Sequence, residues 1–225
     1  MRFQNRGKDY MKNTTQNKTA ILLLSGGIDS TTLLAKLSSE NYEVVALSFH
    51  YGQKHGIELD CAKRNAEKYG VKSHHFIELD NTLFNSSALV NQEINISTYE
   101  NSQLPEGQVN AYVPFRNLVF ISTALSLAES MEINEIYLAF NADDNRNFWD
   151  CRTDFVQKIN AIATLNTSIQ IKTPFIDLSK NEIVKIAHRL NVNLNDTITC
   201  YQPIKGQECG VCLSCITKHK AFENI

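Results

Sequence analysis

The sequence predicts an α/β fold: a Rossmann-like, parallel, five-stranded sheet with helices on both faces, plus a small C-terminal zinc-binding segment. Short apolar runs, as expected of strands buried on both faces, alternate with stretches of helical periodicity over residues 19–195. The first run passes through two adjacent glycines into a helix that opens with hydroxyl and carboxylate side chains. Four of the six cysteines lie close together near the C-terminus. We therefore expect an α/β domain at 19–195 and a cysteine-containing segment packed on it at 196–225.

The elements follow in order along the chain. We predict strands at 20–24, 42–50, 73–79, 135–140 and 169–174, and helices at 29–39, 58–68, 118–131, 152–164 and 180–190. A strand, a helix and a strand in succession form a parallel pair with a right-handed crossover, so the sheet is expected to be parallel. Ser179 and Glu182 have the spacing of a capping box at the start of the last helix. Residues 80–110 are polar and lack periodicity, and we interpret them as an excursion over the active site.

Composition and charge limit the functional classes. The chain has 225 residues, 43% hydrophobic and 20% charged, which is typical of a globular protein with a sizeable core. It shows no apolar run near the about 20 residues that span a bilayer and no signal-peptide core, so we expect a cytoplasmic protein. The formal net charge of −2 does not suggest a dedicated nucleic-acid binder. Residues 1–18 hold five basic residues and one acidic residue, and we predict a mobile basic tail. It is either a functional arm or, as we prefer, a product of start-site choice, with Met11 as an alternative start.

The turn after the first strand is the first candidate site. Its glycines let the backbone approach an anion, and the unpaired amides and the dipole of the following helix favour one. The alternative is an ordinary capped helix, since the turn has neither the Walker pattern nor the dinucleotide-binding pattern. The string Ser25-Gly26-Gly27-Ile28-Asp29-Ser30 resembles the pyrophosphate loop of the ATP-pyrophosphatase superfamily, which cleaves ATP to AMP and pyrophosphate. That resemblance implies ATP with Mg²⁺ as cofactor, Asp29 beside the metal, a catalytic role for Asp29 and Ser30, and an ATP site formed by Leu24, Ser25, Gly26, Gly27, Asp29, Ser30 and Thr31.

Three further groups of polar residues follow predicted strands or open predicted helices, where α/β proteins bind ligands. The first comprises Tyr51, Gln53 and His55, after the second strand. The second is Arg116 with Asn117, which form either an ordinary helix cap or a site for a phosphate or a planar carbonyl substrate. The third, at residues 141–152, follows the fourth strand and mixes acidic, amide, guanidinium and aromatic groups that can stack on a planar base; it includes Phe148, Trp149, Asp150, Cys151 and Arg152. For Cys151 we expect structural support rather than a nucleophilic role.

The C-terminal cysteines indicate a metal site. Thiols clustered in a chain expected to be cytoplasmic favour a metal over disulfides. Four thiolates suit a closed tetrahedral zinc site, and an iron–sulfur cluster is the alternative. With no open position, the zinc would be structural; its ligands would be Cys200, Cys209, Cys212 and Cys215.

Taken together, these motifs resemble the 7-cyano-7-deazaguanine synthase family of the queuosine pathway. The matching positions are 24–32, 51–55, 113–117, 150–152 and 199–201, with Cys209, Cys212 and Cys215. The resemblance implies that ATP adenylates 7-carboxy-7-deazaguanine, that ammonia converts it to an amide, and that a second ATP drives dehydration to the nitrile. It implies catalytic roles for Arg116 and Arg152 beside Asp29 and Ser30. The substrate site would include Tyr51, Gln53, His55, Arg116, Asn117, Phe148, Trp149, Asp150 and Arg152. We further expect a homodimer.

The sequence departs from the family pattern around the suspected substrate pocket. Phe148 and Trp149 stand where the family usually has Tyr-Pro, Phe115 where it has a small residue, and Lys218 where it has Arg. Two alternatives therefore stay open. One is a relative that joins the deazaguanine carboxylate to a protein or other macromolecular amine and stops at the amide, or that thiolates or amidates RNA. The other is a non-catalytic zinc-containing binding module on an ATP-sensing fold, which the few basic residues around the cysteines disfavour.

Overall fold

A computed structural model describes residues 18–54, 56–99 and 105–223 of the chain. The predicted tail, apart from Lys18, and the candidate ligand His55 lie outside the described residues.

Five parallel strands form one sheet within the described residues, which confirms the predicted fold class. They are β1 (Thr19–Leu23), β2 (Glu43–His50), β3 (Ser73–Glu78), β4 (Glu135–Tyr137) and β5 (Gln170–Lys172). Their order across the sheet is β3-β2-β1-β4-β5, and each neighbouring pair is parallel. The strand order reverses between β1 and β4, so this pair marks the switch point at which open α/β sheets bind ligands.

The described residues also contain six α-helices and four short 3₁₀ turns. The helices are α1 (Ile28–Ser39), α2 (Ile57–Lys68), α3 (Arg116–Ser130), α4 (Thr153–Ala163), α5 (Lys180–Arg189) and α6 (Leu213–Phe222). The 3₁₀ turns are Asn81–Phe84, Asp144–Arg146, Trp149–Cys151 and Leu194–Asp196. The helix α3 begins at Arg116, two residues before the predicted start, and α6 was not predicted. The predicted capping box of Ser179 and Glu182 is confirmed at the start of α5.

Helices cover both faces of the sheet because successive strand residues point to opposite sides. Ile21 of β1 joins a core cluster with Ile121 of α3 and with apolar residues of α4. Its neighbour Leu22 joins a second cluster with Leu33 of α1 and Ile183 of α5. Both β1 residues are fully buried, as the continuous apolar run predicts.

The long connection after β3 contributes more to the core than its polar composition indicates. Phe84, Ala88 and Val90 are buried in the same cluster as α3. The Phe84 ring meets the ring of Tyr51 edge to face, with centroids 5.9 Å apart. Isolated apolar residues at irregular spacing therefore anchor the described part of this connection, which the sequence did not predict. Its position over the active site stays a prediction.

The cysteine-containing segment packs against the α/β domain. The Asn181 side chain of α5 donates to the carbonyl of Ala221 in α6 at 2.8 Å. Ala221 also shares a small apolar cluster with Ile28 of α1 and Val184 of α5. The boundary at residue 195 stays a prediction. None of the helices in the described ranges combines the length and apolar character needed to cross a bilayer.

Candidate active site

A cavity of about 230 Å³ lies at the carboxyl ends of β1, β2 and β4. Its lining contains two sets of residues. We call the first the loop group: Ser25, Gly27, Asp29, Ser30 and Asp144. We call the second the aromatic group: Phe49, Tyr51, Glu58, Arg116 and Phe120. Leu24, Asn117 and Cys151 also line the cavity.

Hydrogen bonds fix the conformation of the turn before α1. The backbone N–H of Ser25 donates to Ser30 Oγ at 3.2 Å, and the two hydroxyl oxygens are 3.0 Å apart. The N–H of Gly27 donates to Ser25 Oγ at 3.3 Å. Gly27 is the N-cap of α1, and no side chain caps the helix there. A helix N-terminus without a side-chain cap, bordered by hydroxyls, suits an anion better than the ordinary capped helix that the sequence left open.

The two glycines of this turn have different roles. Gly26 has a φ of +83°, and a Cβ placed there would lie 2.1 Å from the Glu58 carbonyl oxygen and 2.7 Å from the Ala62 nitrogen. Its lack of a side chain therefore lets α2 pack against the turn, a role that the sequence interpretation missed. Gly27 has no such clash, since its nearest neighbour would be Ser25 Oγ at 3.5 Å. Gly27 lines the cavity, whereas Thr31 is fully buried behind it.

The Asp29 carboxylate is the centre of a polar network in the loop group. Its Oδ2 accepts a hydrogen bond from Lys180 Nζ in an ion pair and another from Asn141 Nδ2 at 3.2 Å. The same Asn141 amide donates to Asp144 Oδ2 at 2.8 Å. Asp29 Oδ1 is buried and accepts no hydrogen bond from the residues that the structure describes. A carboxylate oxygen left without a partner beside the anion site fits a Mg²⁺ ligand, because Mg²⁺ prefers oxygen ligands.

Charge interactions within the network fix its ionisation. Burial lowers the pKa of Lys180, but the carboxylates of Asp29 and Asp144 outweigh it and raise that pKa, so Lys180 stays charged. Burial raises the pKa of Asp144 to about 6, against the opposing effect of the Lys180 charge. The sequence interpretation missed Lys180, and it assigned the loop that contains Asn141 and Asp144 to base stacking rather than to a contact with Asp29. One signal was present: a lysine in the first turn of a helix opposes the helix dipole, so its position called for a compensating anion.

The aromatic group combines stacked rings with a charged donor. The rings of Phe49 and Phe120 stack with centroids 3.9 Å apart and planes within 6°. The Arg116 guanidinium lies 5.6 Å from the ring centroid of Tyr51 and 5.7 Å from that of Phe120. Its NH1 donates to Tyr51 Oη at 3.2 Å. Aromatic faces beside an oriented guanidinium can hold a planar, polar ring.

Glu58, which the sequence interpretation also missed, brings a carboxyl to the aromatic group. It lies in the first turn of α2 and accepts a hydrogen bond at Oε1 from Gln53 Nε2 at 2.9 Å. Burial raises the pKa of Glu58 to about 7, although the Gln53 hydrogen bond and the Arg116 charge lower it. Near neutral pH its protonation is therefore sensitive to what binds beside it.

Several residues predicted for the substrate site do not line this cavity. Asp150 is 2% exposed and accepts a hydrogen bond from the Asn117 backbone N–H at 3.4 Å, so it holds the start of α3. The Gln53 side chain hydrogen-bonds Phe49, Tyr51 and Glu58 and so holds the turn between β2 and α2. Arg152 is exposed and donates from Nε to the Asn145 carbonyl at 3.1 Å. These contacts hold the structure around the cavity, and the substrate-binding roles expected for these three residues stay predictions.

The predicted aromatic pair Phe148-Trp149 also lies away from the cavity. Trp149 packs edge to face on Phe115 and Phe155, with centroids 5.3 and 5.4 Å apart. Its indole N–H donates to Tyr112 Oη at 2.8 Å. Phe148 lines a separate small cavity beside α6. Phe49 and Phe120 are the aromatic pair that lines the cavity, and the stacking role of Phe148 and Trp149 stays a prediction.

Cys151 reaches the cavity but is not placed as a nucleophile. Its sulfur accepts a hydrogen bond from Asn117 Nδ2 at 3.3 Å. Burial raises the pKa of the Cys151 thiol well above its ordinary value, and the nearby carboxylates of Asp144 and Asp150 raise it further. Because the thiolate is the reactive form, this environment favours the structural role expected for Cys151.

The four C-terminal cysteines form a compact cluster. Their sulfur atoms all lie within 4.8 Å of one another, and the Sγ atoms of Cys209 and Cys215 are 4.0 Å apart. Tetrahedral zinc with Zn–S bonds of about 2.3 Å places its sulfurs about 3.8 Å apart, so the spacing fits zinc. The N–H of Cys209 donates to the sulfur of Cys200 at 3.2 Å, a contact that stabilises a thiolate. Four sulfur ligands would leave no open position, which fits a structural rather than a catalytic metal.

Comparison with known sequences identifies the family. The model of a family described as "Queuosine biosynthesis protein QueC" matches residues 19–225. A 7-cyano-7-deazaguanine synthase of Saccharophagus degradans is 41% identical over 216 residues, covering 92% of this chain and 94% of the relative. A protein of the same name from Syntrophus aciditrophicus is 39% identical over 220 residues, covering 91% and 93%.

Comparison with solved structures agrees on the fold. NMN synthetase from Francisella tularensis matches with a TM-score of 0.52 and 14% identity over 91% of this chain and 77% of that protein. A "predicted subunit of tRNA methyltransferase" from Methanocaldococcus jannaschii matches with a TM-score of 0.50 and 19% identity over 76% of each chain. At these identities the likeness concerns the fold alone. The match of residues 19–225 to the family model shows that the chain belongs to the queuosine biosynthesis protein QueC family.

Proposed function

We propose that the protein is an ATP-dependent carbon–nitrogen ligase that converts 7-carboxy-7-deazaguanine and ammonia to 7-cyano-7-deazaguanine. Relatives named for that synthase match 92% of the chain at 41% and 37% identity. The structural observation that carries the proposal is one cavity that joins the loop group to the aromatic group. Such a cavity can hold the phosphates of a nucleotide next to a planar heterocyclic acid.

The loop group is suited to Mg²⁺ and the phosphates of ATP. Ser25, Gly27 and Ser30 surround the N-terminus of α1, which favours an anion. The unpartnered Oδ1 of Asp29 is the proposed Mg²⁺ ligand, and Mg²⁺ would supply charge neutralisation of the phosphates. Lys180 is held beside this site by its ion pair with Asp29. Its charge can stabilise a pyrophosphate leaving group.

Conversion of an acid to a nitrile requires two activations. In the first, a carboxylate oxygen attacks the α-phosphorus of ATP and pyrophosphate leaves; ammonia then adds to the carbonyl carbon, and AMP leaves with that oxygen. In the second, the amide oxygen attacks another ATP in the same way. Loss of AMP and of two protons from the amide nitrogen then forms the C≡N bond. A carboxylate or amide resists these displacements until its oxygen becomes a good leaving group, which explains the need for ATP twice.

The four cysteines would hold one structural zinc ion. The sulfur spacing supports this assignment. A structural zinc site contributes roughly 10 kcal/mol or more to folding, which suits a segment with a small core of its own. Ammonia as the nitrogen source and the homodimer remain parts of this proposal.

The test is a product analysis. Purified protein is incubated with saturating ATP, Mg²⁺, ammonium and 7-carboxy-7-deazaguanine, and AMP is counted while the deazapurine is identified by mass spectrometry. We expect two AMP per deazapurine consumed and a nitrile product. Omission of ammonium is the control and should stop formation of both amide and nitrile.

One AMP per deazapurine with an amide as the final product would contradict the proposal. It would favour the relative that joins the carboxylate to another amine and stops at the amide.

A further inference from the structure

We propose that Glu58 selects the deazaguanine ring by accepting hydrogen bonds from its N1–H and its 2-amino group. This inference rests on the function proposed above and names a specificity-determining residue for that reaction. The carboxyl of Glu58 lines the cavity within the aromatic group. The sequence analysis assigns Glu58 no role. The predicted ligands that follow the second strand end at His55, and Glu58 is expected only to begin the next helix.

The Glu58 carboxyl is held in a defined orientation. Gln53 Nε2 donates to Glu58 Oε1 at 2.9 Å and also to the Phe49 carbonyl at 3.1 Å. Gln53 Oε1 in turn accepts from the Tyr51 backbone N–H at 2.8 Å. Within the described part of the chain, the hydrogen bonds found for this carboxylate involve only Oε1. The second oxygen, Oε2, is therefore left to accept hydrogen bonds from a ligand.

The neighbours of Glu58 match the edge of a guanine-like ring. That edge presents an oxygen acceptor, an N1–H donor and a 2-amino donor side by side. The Glu58 carboxylate supplies the acceptor for two donors, and Arg116 of the same group supplies charged donors for the oxygen. The stacked pair of Phe49 and Phe120 lines the cavity and supplies apolar surface for the ring. Adenine has no N1–H, so the same edge contacts discriminate against the ring of ATP.

The ionisation of Glu58 gives the contact a pH signature. Its pKa of about 7 results chiefly from burial, which disfavours the charged form. N–H donors of a bound ring favour the carboxylate and lower that pKa. Substrate binding should therefore strengthen as pH rises through 7, since Glu58 is then already ionised in a larger fraction of the free enzyme and need not lose a proton when the substrate binds.

The variant Glu58→Gln tests the proposal with little change of volume. Because Gln53 donates to Oε1, the side-chain amide introduced at residue 58 is expected to keep its oxygen toward Gln53 and to turn its NH₂ toward the substrate. That NH₂ would then face the N1–H and the 2-amino group, which are also donors. The matched control is Asp60→Asn, which removes an exposed carboxylate from the same helix. Both variants and the wild type are assayed with 7-carboxy-7-deazaguanine and with the analogue that lacks the 2-amino group.

We expect the wild type to prefer the 2-amino substrate by about 100-fold in kcat/KM, since the loss of one hydrogen bond to a charged acceptor changes affinity by up to about that factor. Glu58→Gln should reduce that preference to less than about tenfold, mainly through KM for the deazapurine, with KM for ATP unchanged. The wild-type KM should fall between pH 6 and 8, and the variant should lose this dependence. Asp60→Asn should match the wild type in every measurement.

A wild type that treats the two substrates alike would overturn the proposal, and this result needs no folded variant. A full preference retained by Glu58→Gln would do the same. A change confined to KM for ATP would assign Glu58 to the nucleotide instead. If the wild type forms no nitrile from either substrate, the function proposed above fails, and this outcome differs from a loss of selectivity.

Discussion

The variant Gly26→Ala tests the reason for the first glycine of the loop. A Cβ at residue 26 would lie 2.1 Å from the Glu58 carbonyl oxygen and 2.7 Å from the Ala62 nitrogen, both in the backbone of α2. The backbone cannot rotate away as a side chain would, so α2 must shift. The residue would also keep a φ of +83°, which side chains rarely adopt.

These two effects set the expected loss of stability. The left-handed conformation costs roughly 1–2 kcal/mol for a residue with a side chain. Overpacking against fixed atoms costs about 1–3 kcal/mol. We therefore expect the free energy of unfolding to fall by about 3 kcal/mol and Tm to fall by about 6–12 °C for a chain of this size. The shift of α2 would also displace Glu58 and reduce activity.

Thermal unfolding without nucleotide, with the metal content verified, measures this effect. Gly27→Ala is the matched control, because a Cβ there would meet its nearest neighbour at 3.5 Å. Gly27→Ala should lower Tm by less than about 4 °C, since a less favourable N-cap costs about 1 kcal/mol. It should nevertheless raise KM for ATP, because Gly27 lines the cavity. Equal Tm values for the two variants would refute the packing argument.

Three further predictions concern the metal, the nucleotide and pH. Cys212→Ser should lose the zinc and lower Tm strongly, whereas Cys61→Ser, outside the cluster, should keep the metal in elemental analysis; a folded wild type without metal would contradict the assignment. Asp29→Asn should slow AMP formation about 100-fold or more. Unchanged AMP release by this variant in a single-turnover assay would place the nucleotide site elsewhere. Asp29→Asn should also lower the free energy of unfolding by about 3 kcal/mol, because Lys180 loses its buried partner. Glu58→Gln should gain about 2–3 kcal/mol over the wild type between pH 5 and 8 in denaturant unfolding, since the folded-state pKa raised from 4.5 to about 7 makes the wild type lose stability as pH rises from 4.5 to 7. The same difference at both pH values would reject that pKa.

The stability prediction for Asp29 depends on a contact that the sequence does not reveal. As a polar residue in the first turn of a helix, Asp29 looks removable without cost to the fold. Its ion pair with Lys180, 151 residues away in the chain, changes that conclusion. Periodicity and motif spacing describe neighbours in the chain, and they contain no information on a partner at this distance.

The fold was predictable because its signals are local. The apolar run of β1 and the capping box of Ser179 each determine their own element. The residues around the cavity were predictable only where a motif carried them. Glu58 and Asp144 belong to no motif by themselves, and the fold alone brings them beside Arg116 and Asp29.

The aromatic residues show a further difference between the sequence pattern and the structure. Phe148 and Trp149 lie in a polar loop after a strand, where their composition suggested a stacking surface. The structure uses Trp149 to pack on Phe155 of α4 instead. Phe120 was part of a predicted helix and drew no attention, yet it lines the cavity because α3 turns that face toward the carboxyl end of β2.

The central claim is that both oxygens of one carboxylate leave on AMP within this cavity. It is tested most directly with 7-carboxy-7-deazaguanine that carries ¹⁸O in both carboxylate oxygens, in the presence of ATP and ¹⁵N-ammonium. We predict two AMP molecules per turnover, each with one ¹⁸O, and a nitrile that contains ¹⁵N and no ¹⁸O. A product that keeps one ¹⁸O and a single labelled AMP would contradict the claim.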